Sequence, residues 1–266
     1  MNIELAVARA AAEAAGLAIR ARWDQGIDVT FKGDVDLVSE ADFVAEALIV
    51  SRLRDAFPGD QVIAEEGGRH GDSGERTWYV DPLDGTTNFA HGFPQFAVSI
   101  GLADAEGLSV AVVHAPIYGW TFYAARGAGA WLDGRRLVRG RAKTLNGALL
   151  ATGFPYDRRT NPDNNVDRFA HLLRHCQGIR RAGSAALDLA YVAAGWLDGY
   201  WEERLQPWDL AAGCLLVTES GGTLSSFDGG PADFSTGAVV ASNGRFHVEL
   251  LRALAEARGT ARECGA

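Results

Sequence analysis

Trp78-Tyr79-Val80-Asp81-Pro82-Leu83-Asp84-Gly85-Thr86-Thr87-Asn88-Phe89 is the stretch around which this 266-residue chain is organised. Trp78 to Val80 is apolar and aromatic and predicts a buried strand, which the sequence breaks at Asp81-Pro82. Two carboxylates, Asp81 and Asp84, stand three positions apart, and a small, hydroxyl-rich turn follows them. Acids placed where a buried strand ends cost free energy unless something positive neutralises them. A divalent metal held by oxygen ligands is the simplest neutraliser.

The same arrangement recurs upstream. Gln61-Val62-Ile63-Ala64 predicts a short strand that runs into Glu65-Glu66-Gly67-Gly68. Adjacent glutamates on a strand point to opposite faces, so one of them faces a given site and the other faces solvent or a supporting partner. Residues 67–76, rich in glycine and charge, predict a mobile loop or lid. Ser39 and Asp42 have capping-box spacing ahead of Ala41, Val44, Leu48 and Leu53, which predicts a helix that stops at Phe57-Pro58-Gly59. Asp42 reads there as a helix-start carboxylate, with a carboxylate aimed into a site as the sharper alternative. Residues 2–23 predict an amphipathic helix with Ile3, Val7, Ala11, Ala14, Leu17 and Ala18 on one face. Lys32, in Phe31-Lys32-Gly33, sits in a polar connection and takes no special role from its neighbours.

Downstream, residues 96–102, 109–115, 120–125 and 130–132 predict an antiparallel meander. A basic, polar connection over 133–147 leads to a strand at 148–153, which places a soft boundary between subdomains 1–147 and 148–266 of a single domain, 1–266. Helical patterns over 163–177, 184–194, 206–220 and 244–257 alternate with strands at 179–182, 197–201 and 238–241. The fold class is therefore α/β (α+β), a mixed sheet with helices on its faces. Asp209, in Pro207-Trp208-Asp209-Leu210, falls in the first turn of its helix, where acids favour the dipole.

Composition narrows the classes. Hydrophobic residues are 47% and charged residues 22%, as in ordinary globular proteins. A net charge of −9 opposes field-driven binding to nucleic acid. Three widely spaced cysteines without a C-x-x-C suggest reduced thiols in a cytoplasmic protein rather than a zinc cage. Glu4, Arg9 and Glu13 interrupt any signal-peptide apolar region, and no run has the length of a membrane span.

Asp81, Asp84, Asp209 and one of Glu65 and Glu66 supply carboxylates from three separate places in the chain, as a hard divalent cation requires. The Leu83 carbonyl can add a backbone ligand. Gly85-Thr86-Thr87 offers consecutive N–H groups and hydroxyls, a phosphate site if a short helix begins there; the other reading is a tight turn capped by Asn88. The constellation points to metal-assisted phosphoryl hydrolysis. G-x-S-x-G, Walker A, Rossmann and H-E-x-x-H patterns are all missing, and His91 reads as structural or solvated.

Asp81-Pro82-Leu83-Asp84-Gly85-Thr86-Thr87-Asn88-Phe89 and Trp208-Asp209-Leu210-Ala211-Ala212-Gly213 resemble the two signatures of the inositol monophosphatase family. Glu65-Glu66, Val35-Asp36-Leu37-Val38 and Gly183-Ser184-Ala185-Ala186 match it in order, and Arg180 to Glu202 is most similar to the bacterial branch. The resemblance implies a layered α-β-α-β-α sandwich of the sugar phosphatase type, dependence on Mg²⁺ with two to three ions, lithium inhibition and a homodimer. It implies that Glu65, Asp81 and the Leu83 carbonyl hold the activating metal, that Asp81, Asp84 and Asp209 hold the second, and that a third, weaker ion sits near Glu65. It implies that Thr86 with Asp42 orients and deprotonates the attacking water, that Gly85 and Thr86 amides hold phosphate, that Ser184, Ala185 and Glu202 face the ring, and that Lys32 lies at the site edge.

Thr87 and Glu202 favour myo-inositol 1-phosphate within this family, with histidinol phosphate and fructose 1,6-bisphosphate as alternatives. Some bacterial relatives contact transcription or RNA machinery. Arg135 to Lys143 is the segment available for such a contact, although an ordinary solvated turn is the favoured reading of it.

Overall fold

Five layers stack in the order helix, sheet, helix, sheet, helix in the computed structural model, which describes residues 2–25, 29–31, 37–72 and 74–263. The first layer pairs α1 (Ile3–Gln25) with α2 (Glu40–Ala56), and a short ladder of β1 (Val29–Phe31) and β2 (Leu37–Ser39) joins them. Both helices pack on a sheet of eight strands among the described residues. Its members are β3 (Gln61–Ala64), β4 (Gly68–His70), β5 (Thr77–Asp84), β6 (Ala97–Asp104), β7 (Gly107–Ala115), β8 (Trp120–Ala125), β9 (Ala130–Leu132) and β10 (Arg135–Arg136), in the order β10-β9-β8-β7-β6-β5-β3-β4. Among the described residues of this sheet only β3 and β5 run parallel; β6 to β9 form the antiparallel meander that the sequence predicts. A short helix, α3 (Thr86–Ala90), leaves the end of β5.

The second sheet holds β11 (Leu149–Thr152), β12 (Gly178–Arg180), β13 (Gly199–Glu202), β14 (Thr223–Ser225) and β15 (Val239–Ser242), in the order β12-β11-β13-β15-β14. Helices α5 (Ala185–Ala193) and α6 (Pro207–Glu219) fill the space between the two sheets, and α4 (Val166–Leu172) and α7 (His247–Glu263) cover the outer face. Three apolar clusters correspond to these interfaces. Among the described residues no helix is long and apolar enough to cross a membrane.

Several local expectations are corrected. On α1, Ile3 and Leu17 are exposed, and the packed face is Ala8, Ala11, Ala12, Ala15, Gly16 and Ile19. Small residues let α1 and α2 approach closely, so side-chain size rather than hydrophobicity selects the face. The loop or lid expected over 67–76 instead contains β4, whose Gly68–His70 pairs antiparallel with β3. The helix expected over 163–177 is only Val166–Leu172, and β14 is an additional strand. Nor does β5 break at Asp81-Pro82: it continues to Asp84 through a bulge.

Gly101 sets how closely α6 meets β6. A Cβ built there would lie 2.7 Å from the Ala211 Cβ and 3.0 Å from the Ala212 amide, on the helix that carries Asp209. Gly101→Val is therefore expected to destabilise the protein by about 1–3 kcal/mol or more, because the backbone must yield. Thermal unfolding checks this; an unchanged Tm would show that the two layers are not in firm contact.

Candidate active site

The bulge in β5 solves a problem that the spacing of Asp81 and Asp84 creates. On a regular strand, residues three apart point to opposite faces. Here Asp81 pairs with Ser99 and Asp84 with Ala97, so three steps on β5 match two steps on β6. The extra residue returns both acids to one face, and Pro82 falls where the ladder is already interrupted. Ser99, on that same face, donates its Oγ to the Trp208 carbonyl at 3.2 Å, which fixes the start of α6 and Asp209 against the acids.

Four helix starts meet the carboxyl ends of the parallel pair β3 and β5. Glu65 follows β3, Asp81 and Asp84 end β5, and α2, α3, α5 and α6 begin around them. Their amides do much to hold the acids. Asp84 Oδ2 accepts from Ser184 Oγ at 2.6 Å and from the Ala186 amide at 2.7 Å, while Oδ1 accepts from the Ala185 amide at 3.3 Å. Asp209 Oδ2 accepts from the Gln206 amide at 2.7 Å, and Asp81 Oδ1 from the Leu83 amide at 2.9 Å. Gly85 caps α3 with φ of 99°, in the left-handed region, where a Cβ would also lie 2.9 Å from the Gln95 carbonyl.

Asp42 satisfies both readings of its position. Its Oδ2 closes the capping box of α2, accepting from the Ser39 amide at 2.8 Å and the Ser39 hydroxyl at 2.6 Å. Its Oδ1 lies 3.2 Å from Thr86 Oγ1, which is also 3.0 Å from the Leu83 carbonyl. Asp42 is fully buried, and burial raises its carboxyl above the usual range against the pull of Ser39.

The acids lie close enough to oppose one another's ionisation. Burial first, then the charges of Glu65, Asp84 and Asp209, hold the Asp81 carboxyl well above the usual range. Burial, then Asp84, does the same to Asp209. Burial pushes Asp84 up to about 6, against its hydrogen bonds and the Arg181 charge. Glu65, Asp84 and Asp209 keep partial exposure, and all line one cavity of about 680 Å³. Among the described residues no three Asp, Glu, His or Cys side chains are drawn together tightly enough to enclose an ion. The carboxylates turn oxygens toward the amides named above and keep further lone pairs facing the cavity. Oxygen donors that repel one another around a shared space are the donor set a hard divalent cation requires. In the chemistry of their donor atoms the residues fit such an ion.

The Asp84 shift has a pH consequence. Its folded value of about 6 exceeds the ordinary 3.8, so between those values the folded state binds more protons than the unfolded state. Stability contributed at this position is highest below the unfolded value and declines as pH rises toward the folded one. In metal-free protein, the stability of Asp84→Asn relative to wild type is expected to grow across that window. Urea titrations of both proteins at a series of pH values measure this, and a constant difference would refute it.

Of the residues singled out from sequence, Asp81, Leu83, Asp84, Gly85, Thr86, Glu65, Asp209, Ser184, Ala185 and Glu202 all line the cavity, and Asp42 reaches it through Thr86. Ser184 is turned toward Asp84 rather than the open cavity. Of the two glutamates, Glu65 acts on Asp81, while the Glu66 amide donates to Glu46 Oε2 at 2.8 Å. Lys32, Val35 and Asp36 lie outside the described residues. Asn88 does not cap a turn: its Nδ2 lies 2.6 Å from the Gln95 carbonyl and 2.8 Å from the Ala182 carbonyl, tying α3 to the strand end before α5. Arg181 and Asp188 also line the cavity. Sequence reasoning missed both; Asp188 carried only the weak signal of an acid inside an apolar helix.

Comparison with known proteins agrees with this geometry. The profile described as "Inositol monophosphatase family" matches residues 3–259. The inositol-1-monophosphatase of Synechocystis sp. is 45% identical over 253 residues, covering 94% of this chain and 88% of that protein. A Pseudomonas aeruginosa protein named Nus factor SuhB is 47% identical over 256 residues, 94% of each chain. The solved structure of inositol monophosphatase from Anabaena (Nostoc) sp. PCC 7120 superposes with a TM-score of 0.88 at 42% identity, covering 96% of this chain and 97% of that one.

Proposed function

The chain belongs to the inositol monophosphatase family, and from that premise we propose that it is a Mg²⁺-dependent phosphomonoesterase acting on myo-inositol 1-phosphate and related polyol monophosphates. The observation that carries this reading is the bulge that turns Asp81 and Asp84 to one face, opposite Asp209 and beside the Thr86–Asp42 pair. Two to three Mg²⁺ ions would be held by Glu65, Asp81, the Leu83 carbonyl, Asp84 and Asp209. Bound there, they supply neutralisation of the phosphate and a lowered pKa for water.

The chain's own groups handle the proton. Thr86 Oγ1 takes a proton from the attacking water as it passes its own to Asp42 Oδ1, 3.2 Å away. Burial favours the protonated form of Asp42, which suits an acceptor. The Gly85 and Thr86 amides orient the phosphate, and the leaving oxygen departs in line, on the side of Ser184, Ala185 and Glu202, taking a proton from solvent water as Asp42 returns its own to solvent. The product is inositol and inorganic phosphate, with no phosphoenzyme. A homodimer is the expected assembly, and light scattering tests it.

Phosphate release from a panel of monoesters with Mg²⁺, with and without lithium, tests the reading. Metal-dependent, lithium-sensitive release from inositol 1-phosphate is expected. No release from any ester would overturn it, and a tenfold preference for histidinol phosphate or fructose 1,6-bisphosphate would move the substrate within the family.

A second reading rests on the 47% identity to Nus factor SuhB: contact with transcription machinery in addition to hydrolysis. Arg135, Arg136, Arg141 and Lys143 are exposed, whereas Arg139 donates to the Asn243 carbonyl at 2.9 Å. Pull-down with Arg135→Glu and Arg136→Glu tests this segment; absent or unchanged capture of that machinery counts against it.

A further inference from the structure

Asp188 is a buried acid for which the hydrolytic scheme has no use. It lies in the first turns of α5, is 1% exposed, and lines the cavity beyond Ser184 and Ala185. Its Oδ1 has no hydrogen-bond partner among the described residues. An unsatisfied buried oxygen costs about 1–3 kcal/mol, more when charged, so its place in an otherwise apolar helix needs a cause. Leu187, Leu189 and Ala190 around it are fully buried, and an apolar side chain of the same size would fit that company.

The surroundings indicate what the oxygen waits for. Glu202, at the end of β13, lines the same wall, and its carboxylate accepts the hydroxyl of the fully buried Tyr200. Burial and then the Glu202 charge oppose ionisation of Asp188, and the charge of Arg181, at the cavity edge, favours the ionised form of both acids. The Glu202 carboxylate therefore has a donor already, whereas Asp188 Oδ1 has none among the described residues. An ammonium group would meet the opposing Arg181 charge. A neutral hydroxyl supplies a donor without adding charge to a desolvated wall.

We propose that Asp188 is a specificity-determining residue that accepts a hydroxyl of the polyol part of the substrate, on the wall it shares with Glu202. This rests on the phosphomonoesterase reading and deepens it, because it selects polyol monophosphates over monoesters of simple alcohols. Asp188 stands away from the proton-handling pair, so its contribution falls on recognition of the alcohol.

Asp188→Leu tests the assignment. It replaces both carboxylate oxygens by methyl groups on the same branched skeleton; the added bulk is opposed by the relief of an unsatisfied buried carboxyl, so Tm is expected to hold. The kcat/KM ratio of inositol 1-phosphate to a simple alkyl phosphate is expected to fall about tenfold to a hundredfold, the loss of one hydrogen bond to a charged group. Most of that loss should appear in KM for the polyol ester. Asp188→Asn, which keeps the shape and a weaker acceptor, is expected to give an intermediate ratio.

Two results would overturn the proposal: an unchanged ratio of the two esters, or Asp188→Leu and Asp188→Asn proteins that both fail to fold and so show a structural role. A larger loss on an amino-alcohol phosphate than on the polyol ester would also overturn it, in favour of an ammonium. Failure of the underlying reading looks different, since wild-type protein would then hydrolyse neither ester.

Discussion

Asp84→Asn is expected to lower turnover on the order of 10³-fold or more while leaving the fold intact. The loss follows from removing one charged oxygen donor from a set that stabilises several kcal/mol of transition-state charge. The fold survives because the strong hydrogen bonds all go to Oδ2, from Ser184 Oγ and the Ala186 amide. An asparagine keeps a carbonyl oxygen there and turns its NH₂ toward the weaker 3.3 Å contact with Ala185. Removing a charge also relieves the repulsion that raises Asp81 and Asp209. Calorimetric Mg²⁺ titration should show weakened binding alongside the kinetic loss. Near-wild-type hydrolysis or unchanged Mg²⁺ affinity would remove Asp84 from the site.

Thr86→Val should lower kcat by about 10²–10⁴-fold, the range of a positioned general acid–base group, with little change in KM. Valine preserves the shape and deletes only the hydroxyl that faces Asp42 Oδ1 and the Leu83 carbonyl. Asp42→Asn should cost a similar factor, plus about 0.5–2 kcal/mol of stability through the weakened capping box of α2. Because the two groups pass one proton, the double variant should be hardly worse than the poorer single one. Steady-state kinetics on the four proteins decides: multiplicative losses would mean independent roles, and single losses below tenfold would mean no role in proton transfer.

Much of this site is legible in the chain because its determinants are local. The capping box at Ser39 and Asp42, the proline at the first turn of α6 and the strand–acid junction at Ala64-Glu65 are all short-range patterns. The face of α1 was less legible, since its contact with α2 rewards alanine over leucine, opposite to a count of hydrophobic residues. Asp188 was illegible as a functional residue, because only the packing of α5 against the cavity shows that its oxygen has no partner.

By itself the sequence determined which residue types stand at strand ends and helix starts, and hence the oxygen-rich, divalent-cation chemistry. These features follow from backbone preferences acting over a few residues. Tertiary structure alone decided which of those groups meet. One extra residue opposite β6 turns Asp81 and Asp84 to the same side. The Asn88 amide reaches across to the Ala182 carbonyl, and the close approach at Gly101 seats Asp209 across from both acids. The last two meetings join residues about a hundred positions apart. They depend on sheet register and on the size of packed side chains, which no local pattern encodes.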